Sequence, residues 1–147
     1  MGFSVTGSHV IFFVSALIVA GAVSGIFIAV TTNISGSFHE KGKRVETQLE
    51  TEFAVINDPE MIPSSNNQYI FYIRNIGSKK IITSNETFQV FIDGEIISST
   101  FFTFSNESIY TTEYTQLKLN STIINAGFHC LRLVGPYGVN DDFTFKI

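Results

Sequence analysis

Four Asn-x-Ser/Thr triplets are the residues whose types and spacing could carry chemistry: Asn33-Ile34-Ser35, Asn85-Glu86-Thr87, Asn106-Glu107-Ser108 and Asn120-Ser121-Thr122. A carboxamide nitrogen with a hydroxyl two residues on is the acceptor pattern for N-linked glycan, so Asn33, Asn85, Asn106 and Asn120 are candidate modification sites outside the cytoplasm. Nothing else is arranged for catalysis. His9, His39 and His129 stand near no nucleophile and at no metal-ligand spacing. Cys130 is alone, so there is no internal disulfide framework and no Cys/His zinc pattern. Asp141-Asp142 could serve as a carboxylate pair for acid/base work or calcium, but further ligands at suitable spacing are missing; a turn before a last strand is expected instead. With no phosphate-binding loop, dinucleotide fingerprint or nucleophile elbow, the expectation is a non-enzyme with no catalytic residue, no metal and no cofactor.

The element that must position any modified domain is the stretch Val10 to Val30, 21 residues without a charge. As an α-helix it covers about 31 Å, the thickness of a bilayer's hydrocarbon core. Residues 1–9 carry no Lys or Arg and the apolar core is too long for a cleaved signal peptide, so retention as a transmembrane anchor is expected. Within it Gly21, Gly25 and Ala29 recur at every fourth position beside a second row of Ala16, Ala20 and Ser24. Such spacing lets helix backbones approach closely in lipid and marks a candidate self-association face.

Beyond the anchor, residues 31–50 turn polar while Ile34, Phe38, Val45, Leu49 and Phe53 keep one apolar stripe at helical spacing. This predicts a helical stalk, bent near Gly36, whose narrow stripe suits packing against a neighbouring chain. Residues 1–9 are read as a short tail and 51–147 as the folded domain.

From residue 51 onward the period changes to short segments rich in β-branched and aromatic residues: Phe53–Ile56, Tyr69–Arg74, Ile81–Thr83, Thr87–Ile92, Glu95–Phe104, Thr115–Leu119, Phe128–Val134 and Phe143–Ile147. Asp93-Gly94 is a strong hairpin signal. Seven or eight short strands predict an all-β, immunoglobulin-like β-sandwich, without the Cys…Trp…Cys pattern of true immunoglobulin domains. With Phe88, Val90 and Ile92 inward, Phe91 faces out. With Tyr69, Phe71 and Ile73 inward, Ile70 and Tyr72 face out; with Phe102 and Phe104 inward, Phe101 is left outside. These four (Ile70, Tyr72, Phe91, Phe101) form the candidate partner interface, since exposed apolar area usually marks a contact. On Phe128–Val134, His129 is expected outward and Cys130 in the core.

Ten acidic against six basic residues from Thr51 onward argue against nucleic acid as a partner. Lys41, Lys43 and Arg44 follow the anchor, which the positive-inside rule would read as a cytoplasmic domain; the glycan triplets and the sandwich character point outside.

The run IFFVSALIVAGAVSGIFIAVTTNIS followed by GKRVETQLETEFAVINDPE resembles the N-terminal half of archaellum (archaeal flagellum) stator proteins of the FlaG type, most specifically in QLETEFAVINDP. YIRNIGSKKI and FHCLRLVGPYGVNDDFTFKI are similar to the same family's domain, so the resemblance covers most of the chain. It implies a single-pass membrane protein of an archaeal cell with its sandwich outside the cytoplasmic membrane. It further implies a part of the stationary motor beside a FlaF-type partner, which binds the surface layer; the link of this chain to that layer would be indirect. Self-association into a homo-oligomer or filament is also expected. Three rival readings stand beside it: a membrane-tethered ligand-binding or adhesive module, the FlaF-type protein itself, and a pilin- or archaellin-like filament subunit. The last is cut after a basic residue and glycine, whereas Gly7 here follows Thr6.

Overall fold

The computed structural model describes residues 2–147, with side chains from Val5 onward. The chain divides into two compact units, one ending at Lys43 and one running from Arg44 to Ile147.

The first unit is helix alone, part of α1, Gly2–Glu50. It begins within the stretch expected to be a tail and continues as α-helix through Gly36 and Gly42. Among the described residues it is the one helix long and apolar enough to cross a membrane. Its apolar side chains, Ile34 and Phe38 included, are exposed.

The second unit holds the last two turns of α1 and eleven short strands. One antiparallel sheet contains β1 (Phe53–Val55), β3 (Gln68–Asn75), β9 (Tyr114–Asn120) and β7 (Phe102–Phe104) in that order, with β2 (Ser64–Ser65) pairing on the β1 side of β3. The other runs β11 (Asn140–Lys146), β10 (Phe128–Val134), β5 (Gln89–Ile92), β6 (Glu95–Ile97). A small ribbon joins β4 (Ile81–Ile82) to β8 (Ser108–Ile109). Inward side chains of both large sheets form one core: Phe71, Ile73, Leu117 and Leu119 from the first, Val90, Ile92, Leu131, Leu133 and Phe145 from the second. Phe71 packs edge-on to Phe145 at 5.0 Å between ring centres, and Phe53 to Phe88 at 5.2 Å. Such pairs each add about 0.5–1.5 kcal/mol beyond the area they bury. The apolar helix followed by an antiparallel sandwich is the expected architecture.

Asn57 replaces a strand where β1 stops. Its Nδ2 donates to the Ile70 carbonyl at 2.9 Å and its Oδ1 accepts the Tyr72 N–H at 2.6 Å. With Ile56 N–H on Tyr72 O and Ile70 N–H on Pro63 O, this edge of β3 has its backbone groups paired through the gap between β1 and β2.

Four local expectations are corrected. Glu95–Phe104 is two strands in different sheets, because the chain turns at Ser98–Phe101, with Phe101 N–H on Ser98 O, and crosses from one sheet to the other. Asp141-Asp142 lies inside β11, where Asp141 Oδ2 accepts the Val55 N–H at 2.8 Å and Asp142 pairs with Arg132 across the sheet. Cys130 does not face the core: Leu131 and Leu133 take the inward parity, leaving Cys130 half-buried on the outer face with Arg132, and His129 on the core-side parity beside Phe145. Phe53, counted in the stalk stripe, belongs to β1 and is buried.

Candidate functional site

The features to be placed are the candidate contact surfaces, the glycan acceptors and the join between the helix end and the domain. The join is built from the C-terminal end of α1. A helix leaves its last carbonyls unpaired, and here the β3–β4 loop supplies donors. Ser78 and Lys79 N–H bond to Glu50 O at 2.9 and 3.2 Å, while Ile76 and Gly77 N–H both bond to Glu52 O at 3.0 Å. Lys79 Nζ lies 2.7 Å from Glu50 Oε2 and donates to Thr47 Oγ1 at 3.1 Å. The approach requires glycine: a Cβ on Gly77 would fall on the Glu50 carbonyl oxygen and 2.6 Å from Glu52 N. Buried Asn75 fixes the loop from behind, its Nδ2 donating to Lys79 O and Ile109 O and its Oδ1 accepting the Gly77 N–H.

The four candidate interface residues are not brought together. Ile70 and Tyr72 are half-buried on the outer face of the first sheet, Tyr72 edge-on to Tyr114 at 5.9 Å. Phe91 is half-buried on the outer face of the second sheet, in a cross-strand row with Ile96, Arg132 and Asp142. Phe101 is exposed at the crossing between sheets. Ile96 is the residue sequence reasoning missed; it is 64% exposed beside Phe91. Its signal was hidden when Glu95–Phe104 was read as one strand. On the helix, Gly21, Gly25 and Ala29 form an exposed row, with open space where a Cβ on either glycine would lie.

The chain thus carries a membrane-length helix and, in the second unit, a sandwich whose β3–β4 loop is bonded to the end of that helix. A model of the archaeal-type flagellin family matches residues 2–145. The chain belongs to that family. The archaeal-type flagellin relatives it resembles include the flagella-related protein G of Methanococcus voltae, 30% identical over 143 residues and spanning 95% of both chains. The flagella-related protein G of Methanocaldococcus jannaschii is 39% identical over 92 residues, 61% of this chain and 60% of that one. Among solved structures, the archaellum periplasmic stator protein FlaG from Sulfolobus acidocaldarius superposes with a TM-score of 0.51 over 65% of this chain and 99% of that one, at 15% identity, which is likeness of fold. This is a FlaG-type archaellum protein, and the family is not one of enzymes.

In this family member the four candidate acceptors sit in unlike places. Asn33 is within α1. Asn85 is half-buried and gives both Nδ2 hydrogens away, to Ser99 O at 2.8 Å and Phe102 O at 2.9 Å. Asn120 is half-buried and caps the 3-10 turn Ser121–Ile123, its Oδ1 accepting from Thr122 N–H and hydroxyl. Asn106 is exposed. Among the described residues no three His, Cys, Asp or Glu side chains cluster as a metal site.

His129, on β10, ties the β5–β6 turn to the segment that precedes β10. Its Nδ1 lies 2.6 Å from Asp93 Oδ2 and its Nε2 2.9 Å from Asn125 O. Both partners accept only, so the protonated ring can donate to both at once, and this arrangement favours the imidazolium form. The hydrogen bond that His129 donates to Asp93 holds the His129 pKa above its usual 6.5, and together with that from the Cys130 N–H it holds the Asp93 carboxyl below its usual 3.8. A raised His pKa stabilises below 6.5 and fades as pH rises through the folded value; a depressed Asp pKa stabilises above 3.8 and fades as pH falls through its folded value. The brace is therefore strongest between these limits. Thermal melts should show a higher Tm at pH 6 than at pH 9. Asp93→Asn, which tolerates the left-handed turn backbone there (φ 53°), should flatten that difference. An unchanged pH dependence in the variant would exclude the brace as its source.

Proposed function

We propose that this chain is a non-enzymatic part of the archaellum stator, anchoring the stationary motor to the cell envelope. Val10–Val30 crosses the cytoplasmic membrane, residues 31–50 form the stalk, and the immunoglobulin-like sandwich of residues 51–147 lies outside. The observation that carries this reading is the join. The helix end is held to the sandwich by backbone hydrogen bonds and an ion pair at Glu50, which suits a part that must resist force rather than a domain on a free tether. Contacts are assigned to the helix row Gly21, Gly25 and Ala29, and to the outer face around Phe91 and Ile96. Their partners would be a second copy or a FlaF-type protein, with the surface layer reached through the latter.

Deleting the chain should abolish swimming while motor ATP hydrolysis persists, since no residue here carries that chemistry. Restoring it as Phe91→Glu should return normal protein levels but not swimming. A buried aromatic anchor is commonly worth about 2 kcal/mol or more, over tenfold in affinity. Normal motility in the deletion strain would remove the stator reading. The flagellin name of the matched family favours a second reading, a filament subunit. Purified filaments that contain this chain as a major component would favour it over the first.

A further inference from the structure

The structure assigns Asn106 as the N-glycan acceptor of this chain, with the first sugar seated in the polar cleft beside it. The assignment rests on the sandwich lying outside the membrane. Of the three triplets in the sandwich, Asn106 is the one with an exposed side chain and an Nδ2 hydrogen left uncommitted. Its Nδ2 makes one long hydrogen bond, 3.4 Å to Tyr114 O, so a second hydrogen is uncommitted. The main chain beneath is firmly held: Asn106 N–H donates to Thr115 Oγ1, and Asn106 O accepts from Thr83 Oγ1, both threonines being buried. Asn85 cannot take a sugar without breaking at least one of its two carbonyl bonds, and Asn33, although exposed, lies outside the sandwich, in α1 three residues beyond the apolar stretch that ends at Val30. The Asn120 carboxamide is half-buried and engaged as a cap.

A second observation points to a ligand at the same place. Asn106 lines an open cleft of about 620 Å³ with Ser105, Thr112, Glu113, Tyr114 and Gln116, within the roughly 300–1,000 Å³ of small-molecule sites. It offers hydroxyl, amide and carboxylate groups beside an exposed tyrosine ring, the mixture that hydrogen-bonds sugar hydroxyls and covers a sugar's apolar face. Its wall contains Thr112 at φ +73°, a strained backbone for a β-branched residue, held by Thr112 N–H on Asn75 O and Arg74 Nε on Thr112 O.

The donor class is a saccharide carried on a polyprenyl phosphate or diphosphate. Asn106 Nδ2 attacks the anomeric carbon and forms the N–C bond. The bond from that carbon to the phosphate oxygen breaks, the phosphate leaves with the electron pair, and one Nδ2 hydrogen departs as a proton.

The test is glycopeptide mass spectrometry on full-length protein extracted from its native membrane, with protease treatment of intact cells stripped of their surface layer. A glycan mass on the Asn106 peptide, lost in Asn106→Gln, is expected. Amide exchange at residues 112–116 should be slower in the glycosylated protein than in the variant. A protease-accessible domain with Asn106 bare, or with glycan only on Asn85 or Asn120, overturns the assignment alone. Protection from protease overturns the external location and the assignment with it. Exchange unaffected by the glycan overturns the seat in the cleft.

Discussion

Gly77→Ala is expected to lower domain stability by about 3 kcal/mol, at the upper end of what overpacking usually costs. The added methyl meets backbone on the far side, the Glu50 carbonyl and Glu52 N, which cannot swing aside as a side chain can. Relief requires moving the loop, and that loosens the N–H groups of Ile76, Gly77, Ser78 and Lys79 from the Glu50 and Glu52 carbonyls. For a domain of about 100 residues, 3 kcal/mol lowers Tm by roughly 12–24 °C. Circular dichroism melts of the detergent-solubilised chain would measure it. A Tm within a few degrees of wild type would mean the helix end yields, and the join would lose its claim to rigidity. Lys79→Ala makes a useful contrast, because its ion pair with Glu50 is solvent-exposed on both sides and should move Tm far less than Gly77→Ala does.

Asn75→Ala should destabilise by a similar amount through a different cause. The side chain is fully buried and its carboxamide serves three backbone groups, donating to Lys79 O at 2.7 Å and Ile109 O at 3.2 Å and accepting from Gly77 N–H at 3.0 Å. Gly77 N–H keeps Glu52 O, but each of the two carbonyls loses this donor at a cost of about 1–3 kcal/mol unless water reaches it, so a total of about 3 kcal/mol is expected. Asn75→Asp separates the donor from the acceptor role. It keeps the acceptor for Gly77 but sets a carboxylate against two carbonyl oxygens, so its folded pKa should rise. Stability of that variant should then be greatest at low pH and fall as pH climbs through the raised value, the reverse of an ordinary paired aspartate. Melts of Asn75→Asp at pH 4 and pH 7 would show the sign; equal Tm values would mean the site is wetter than its geometry indicates.

The parts of this fold that were readable along the chain are those fixed by near neighbours. Asp93-Gly94 announces its hairpin because both residues take positive φ, 53° and 86°, which few other pairs tolerate. The inward set Phe88, Val90 and Ile92 follows from alternation alone, and all three are buried. What escaped depends on distant partners. Gly77 reads as punctuation between strands until its neighbour is seen to be a helix end more than twenty residues earlier. Ser98–Phe101 carries no strong breaker, yet the chain changes sheets there. On β10 the alternation was visible but its sign was not: Leu131 and Leu133 outweigh Cys130 for the interior. The candidate contact residues suffered most. Outwardness can be read from parity, but whether Ile70, Phe91 and Phe101 share a surface depends on which sheet each strand joins.

Asn57 has a consequence for how copies of such a chain could assemble. An open strand edge invites growth by β-pairing, which is cooperative, hard to reverse and shared with amyloid. By satisfying Ile70 and Tyr72 with one side chain, Asn57 closes that route along the gap in the longest strand of the first sheet. Association there must proceed by side chains meeting across faces, a kind of joint that can be made, unmade and exchanged without unravelling a sheet.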